Sequence, residues 1–197
     1  MADAADPVAA DEDVVPGIAL DADRYTVKQS LIRNKYAVYD PDGALVLRTR
    51  QKLLKMKEEF PFVNADDEPV FRVKAQNVFD IAGDYTLTAE DGEPIAVLEK
   101  QFTFFKHVWR VRSPDDRLYA TIESDSTLVE ALRSVSTLFD LIPHSYTITG
   151  PDGAHLGDIQ ARFSLRDVYD IEIADTGGAP REAIVAACIA VDALEGN

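Results

Sequence analysis

The sequence holds one cysteine, Cys188, so no intramolecular disulfide can form. Cys188 sits within an apolar run, where a thiol acts as a small buried hydrophobe and not as a nucleophile. Histidine is scarce as well: His107, His144 and His155 stand far apart, each read as a strand or loop residue. There is no H-E-x-x-H pair, no glycine-rich phosphate loop and no G-x-S-x-G elbow. No Asp-rich segment has the full spacing of an EF-hand calcium loop. No constellation of nucleophile, base and oxyanion donors can be assembled, so no catalytic residue, metal or cofactor is expected. Long apolar runs are absent too. A membrane-spanning helix needs about 20 apolar residues, and the stretch Ala183 to Val191 has nine. The first residues lack the basic and apolar regions of a secretion signal. A cytoplasmic monomer is expected.

Positive charge is in short supply. Against 35 acidic residues there are 20 basic ones, of which only eight are lysine, and the net charge is -15. Such a field repels nucleic acid, which is excluded as an expected partner. An Asp-rich, Lys-poor surface stays hydrated in concentrated salt, where repulsion is screened to within about 3 Å at 1 M. A halophilic source is the favoured reading of this balance; the plainer one is an acidic protein of no special habitat. With 197 residues and 46% hydrophobic content the chain can build one sizeable core. Residues 1–22 read as a disordered acidic tail, and 23–197 as a single domain.

What is abundant is the turn. Clusters of Asp, Pro and Gly recur at Asp40-Pro41-Asp42-Gly43, Asp66-Asp67-Glu68-Pro69, Asp91-Gly92, Pro114-Asp115-Asp116, Pro151-Asp152-Gly153 and Asp175-Thr176-Gly177-Gly178. The markers Asp42, Asp67, Asp91 and Asp116 are spaced by 25, 24 and 25 residues. These residue types supply the backbone angles that tight turns require. Between the turns lie about twelve alternating, β-rich segments, from YTVKQSLI at Tyr25 to VYDIEIA at Val168, for which hairpins are the natural connection. Two segments depart from the pattern. In 126–142 the apolar positions Leu128, Ala131, Leu132, Val135, Leu138, Phe139 and Ile142 follow helical spacing, with a pair of strands as the competing reading. Near the carboxyl end, EAIVAACIAVDAL is helix-like but apolar on every side. A helix lying on a globule keeps one wet face; this one has none, so it must be surrounded. A barrel of this many strands has a lumen too wide for its own side chains to fill. The expected fold is therefore mainly β: a closed antiparallel β-barrel of about twelve strands around a central hydrophobic C-terminal α-helix.

The strand ladder, the segment RFSLRDVYDIEIAD and the terminal helix ending in Val191-Asp192-Ala193-Leu194 resemble the LURP-one-related proteins. The resemblance covers Tyr25 to Leu194. It implies the tubby C-terminal-like superfamily, with the phospholipid scramblases as relatives, and a twelve-stranded barrel closed around a C-terminal helix. It implies no enzymatic chemistry. Tubby-like domains bind phosphoinositide headgroups through basic surface residues, whereas the cysteine-rich acylation tract of scramblases is missing here.

Two runs stand against the overall charge. RTRQKLLKMK carries Arg48, Arg50, Lys52, Lys55 and Lys57 with no acid between them. KQFTFFKHVWRVR brings Lys100, Lys106, Arg110 and Arg112 among Phe102, Phe104, Phe105 and Trp109. Basic side chains beside aromatics can seat an anionic headgroup while the rings settle at a lipid interface. The plain alternative is strands whose bases face solvent or pair with the plentiful carboxylates. The functional expectation is a non-enzymatic barrel module that binds anionic phospholipid headgroups, or tethers at membranes, through these nine residues. The alternative is a protein–protein scaffold with no lipid role.

Overall fold

A computed structural model describes residues 15, 17–18, 20–30, 35–49, 59–75, 84–101, 103, 106–125, 145–162 and 168–195. Twelve strands follow one another: Arg24–Gln29 (β1), Tyr36–Tyr39 (β2), Leu45–Thr49 (β3), Glu59–Val63 (β4), Pro69–Ala75 (β5), Tyr85–Ala89 (β6), Pro94–Gln101 (β7), Val108–Arg112 (β8), Leu118–Ser124 (β9), Ser145–Thr149 (β10), His155–Arg162 (β11) and Val168–Ile173 (β12). One helix, Arg181–Glu195 (α1), follows them. Each strand pairs antiparallel with its sequence neighbours, and β1 pairs with β12, so the sheet closes on itself. Closure removes the unpaired strand edges that invite aggregation. The expected barrel is what forms. The segment 126–142, left between helix and strand, lies outside the described residues.

The regular spacing of the Asp-rich turns has one cause. Five hairpins repeat the same geometry, with the amide of the fourth turn residue donating to the carbonyl of the first: Gly43 to Asp40 (3.1 Å), Asp67 to Asn64 (3.2 Å), Gly92 to Ala89 (3.1 Å), Asp116 to Ser113 (3.0 Å) and Gly153 to Gly150 (3.0 Å). The donor residue has positive φ every time, from 66° at Asp116 to 96° at Gly92. Only Gly and, less readily, Asp or Asn adopt this conformation without a steric penalty. A register shift of one residue accompanies each turn, as at Val38/Tyr39 and Leu87/Thr88. This is a turn followed by a bulge, which strengthens the local twist that closing a barrel demands.

Alternation then sorts side chains between the lumen and the outer wall. On β8, Trp109 and Val111 are buried while Arg110 is exposed. The inward residues of all the strands and the helix form a single core. Within α1 every residue from Ala183 to Val191 is 0% exposed, so the helix fills the lumen and its lack of a wet face is explained. Its backbone runs within 8 Å of β7 and β8, where the buried Ala96 of β7 leaves room on the wall. At its start, Ala183 N donates to the Pro180 carbonyl at 3.1 Å, and Glu182 places an acid in the first turn, complementing the dipole. Among the described residues no helix is long and apolar enough to cross a membrane.

The chain ahead of β1 also enters the core. Val15, Ile18 and Leu20 are buried, although all three fall within the stretch read from composition as an acidic tail. The Gly17 carbonyl accepts from Asn64 Nδ2 at 3.3 Å, Tyr25 Oη accepts from Ala22 N at 2.9 Å, and Arg181 donates to the Ala22 carbonyl at 2.8 Å. This strap covers the barrel mouth through which α1 enters.

Candidate functional site

Two titratable groups in the lumen, Cys188 and Tyr169, are held in their protonated forms. Burial pushes the Cys188 thiol well above its ordinary range, so thiolate chemistry is suppressed. Tyr169 is buried as well, and desolvation, with the charge of Asp192 second, drives its phenol upward. Its hydroxyl has no hydrogen-bond partner among the described residues. Other buried polar groups are satisfied locally: Thr49 Oγ1 accepts from Tyr36 N at 2.9 Å, and Asp170 accepts from Thr26 Oγ1 at 2.8 Å and from Arg162. Among the described residues no group of three or more His, Cys, Asp or Glu could hold a metal.

The nine basic residues singled out from the sequence divide into three sets. Arg50, Lys52, Lys55 and Lys57 lie outside the described residues. Arg48, on β3, pairs with Asp67 at 2.8 Å. The remaining four are on or beside β7 and β8, separated from β3 in the ring by β4, β5 and β6. Alternation separates these four further. Lys100 shares the inner face of β7 with Ala96 and Leu98, and its Nζ lies 5.4 Å over the Trp109 ring. Arg110 and Arg112 are on the outer wall. Arg112 donates from Nε to Glu99 at 2.9 Å and to the Asp116 carbonyl at 3.0 Å. The Glu99 bond is the main reason its guanidinium holds its proton more tightly than usual. Lys106 pairs with Glu123. Arg110 is exposed, opposite Glu99 on β7 and Thr121 on β9. Exposed ion pairs of the Arg48 and Lys106 kind contribute only about 0–1 kcal/mol, so a competing anion displaces such a carboxylate at little cost.

A larger organisation comes from the up-and-down topology, which sends alternate connections to opposite ends of the barrel. The five tight hairpins (40–44, 64–68, 90–93, 113–117 and 150–154) gather at the end that α1 enters. Together they contain eleven carboxylates, one base (Arg117), and no Val, Leu, Ile, Met or aromatic residue. The connections 30–35, 50–58, 76–84, 102–107, 125–144 and 163–167 join strand ends at the opposite side of the barrel. They contain nine Lys or Arg against seven carboxylates, and apolar residues including Leu53, Leu54, Met56, Phe79, Phe102, Phe104, Phe105, Phe139 and Phe163. In composition, one set of connections is acidic and polar and the other is basic and apolar. This polarity is missed when the two basic runs are read in isolation. Sorting odd from even connections would have found it.

On the outer wall at the basic end there is a half-open pocket of about 280 Å³, lined by Lys106, Glu123, Ser124, Asp125, Thr147 and Thr149. Thr147 Oγ1 donates to Asp125 at 3.0 Å, and the His107 amide donates to Ser124 Oγ at 2.9 Å.

Comparison with known proteins agrees with this architecture. A crystal structure of a protein from Arabidopsis thaliana is similar in fold, with a TM-score of 0.53 at 8% sequence identity, covering 88% of this chain and 93% of that one. A comparison with curated proteins finds no match. The sequence pattern of the family described as LURP-one-related matches residues 45–192, from β3 through most of α1. With three quarters of its length matched and its barrel closed around a C-terminal helix, the chain belongs to the LURP-one-related family.

Proposed function

We propose that this barrel is a non-catalytic binding module that turns its basic, apolar end toward an anionic membrane surface. The observation that supports the reading is the partition of connections. Bases and large apolar residues are collected at the end away from the acidic hairpins. A membrane-facing surface needs that combination, because basic side chains are drawn to anionic headgroups and apolar ones gain by leaving water. The acidic end opposes the reverse orientation. The site residues of this reading are Arg50, Lys52, Lys55 and Lys57, joined by Lys106, whereas Arg48 and Arg112 bind Asp67 and Asp116 of the acidic hairpins, Lys100 turns inward over Trp109, and Arg110 stands on the outer wall. A lumen filled by α1 supports a reading in which the outer surface does the recognising.

Vesicle co-sedimentation tests it, comparing vesicles of phosphatidylglycerol and phosphatidylcholine with vesicles of phosphatidylcholine alone. Each lysine near an anionic surface contributes about 1 kcal/mol. Replacing Lys52, Lys55 and Lys57 together by Gln therefore weakens binding to the anionic vesicles by about 100-fold. Asp42→Asn with Asp91→Asn, at the opposite end, leaves binding unchanged. Equal sedimentation with both vesicle types, or none with either, refutes the membrane reading and puts a protein partner in its place.

A further inference from the structure

We propose that the pocket between β9 and β10 seats a small zwitterion, with its ammonium group between Glu123 and Asp125 and its phosphate on Lys106. The lining determines the chemistry. Two carboxylates and one ammonium share the space with the hydroxyls of Ser124, Thr147 and Thr149. A pure anion meets a net negative wall, and a pure cation is left beside the charge of Lys106. A molecule carrying both charges satisfies all three ionic groups at once. Lys106 and Glu123 already pair with each other, but their side chains are 38% and 40% exposed. An exposed pair of that kind opens readily: the phosphate takes the Lys106 ammonium, and the ligand's ammonium takes the freed Glu123 carboxylate. On Asp125, one oxygen accepts from Thr147; the second is available to the same ammonium. At about 280 Å³ the pocket is below the usual range for drug-sized ligands and suits a headgroup-sized molecule. The inference stands apart from the membrane reading, because a free, soluble zwitterion is enough to fill the site.

The probe is O-phosphoethanolamine, titrated into the full-length protein while amide chemical shifts are followed. Inorganic phosphate and ethylammonium serve as the separated halves. Saturable shifts are expected at Ser124, Asp125, Thr147 and Thr149, with each half alone at least about tenfold weaker, a difference of about 1.4 kcal/mol. Lys106→Gln and Asp125→Asn should each weaken the zwitterion about tenfold, with the far wall of the barrel unshifted, which shows that both variants fold. Three results would overturn the proposal: no saturable shift on β9 and β10, phosphate or ethylammonium alone matching the whole molecule, or both variants binding as the parent does.

Discussion

Replacing Tyr169 by phenylalanine is expected to stabilise the protein, against the usual direction for a change at a buried aromatic. The Tyr169 ring is inside the lumen, 4% exposed, and its hydroxyl has no partner among the described residues. Burying a hydroxyl without a hydrogen bond costs about 1–3 kcal/mol. Phenylalanine keeps the ring and its buried area, removes that cost, and gives back a few tenths of a kcal/mol in lost contacts where the oxygen was. The net gain is about 1–2 kcal/mol. For a chain of this size 1 kcal/mol moves the thermal midpoint by about 2–4 °C. Urea denaturation followed by circular dichroism should show a higher midpoint at unchanged slope. The alkaline side offers a second reading. Tyr169 in the native state titrates far above an exposed tyrosine, because burial and then Asp192 disfavour the phenolate. Unfolded tyrosine releases its proton near pH 10, so above that pH the unfolded chain binds fewer protons and stability falls. Tyr25, pushed up to about 12 chiefly by burial, adds to the same loss between about pH 10 and 12. Tyr169→Phe should retain the Tyr25 contribution and lose its own, giving a shallower alkaline decline. A lower urea midpoint at neutral pH would refute the reasoning, since it would mean that the hydroxyl is bonded and was contributing.

Gly157→Ala tests the close approach of β11 to β12: a Cβ there would lie 2.0 Å from the Glu172 carbonyl oxygen, so a loss of about 3 kcal/mol or outright failure to fold is expected, and a midpoint within error of the parent would deny the contact. Ala187→Leu places three more carbons on a helix residue that is 0% exposed; overpacking should cost about 1–3 kcal/mol, and an unchanged midpoint would put α1 on the surface. The acidic hairpin end should make stability rise with salt, because unscreened carboxylates repel one another in dilute buffer; a melting temperature indifferent between about 0.1 and 3 M salt would remove the halophilic expectation.

The barrel was legible in the sequence because two independent constraints coincide. Positive φ at the fourth residue of each hairpin turn demands Gly or a tolerant Asp, which writes Gly43, Asp67, Gly92 and Asp116 into the chain at steps of 24, 25 and 24 residues and Gly153 after a longer step of 37. A helix filling a lumen can carry no polar face, which writes Ala183 to Val191 as it is. The strap around Val15, Ile18 and Leu20 was not legible, because three isolated apolar residues among Asp and Ala have no period. Their burial depends on the mouth of a barrel that exists only once β1 and β12 have met. The basic runs were legible as charge but not as geometry. Sequence proximity joins Lys100, Arg110 and Arg112, while strand alternation turns Lys100 inward and the other two outward. The carboxylates that hold Arg112 and Lys106, Glu99 and Glu123, come from neighbouring strands, where only the register brings them together.

Antiparallel closure explains why a charge partition survives in a chain so acidic overall. A hairpin turn of this kind needs Asp or Gly for its backbone, so the end that gathers the hairpins becomes acidic as a by-product of geometry. Asp40 accepts from the Ala44 amide and Asp152 from the Ala154 amide, both in turns, and neither carboxylate needs an external partner to account for its place. No such constraint acts on the opposite end. Bases and large apolar residues gathered there are not required by turn geometry. Their retention at one end, in a chain with a net charge of -15, is therefore the more informative half of the partition. On the membrane reading, this end answers to an anionic surface. If neutralising its lysines changed stability as much as it changed vesicle binding, those residues would serve the fold after all. An unaltered melt together with lost binding separates the two roles.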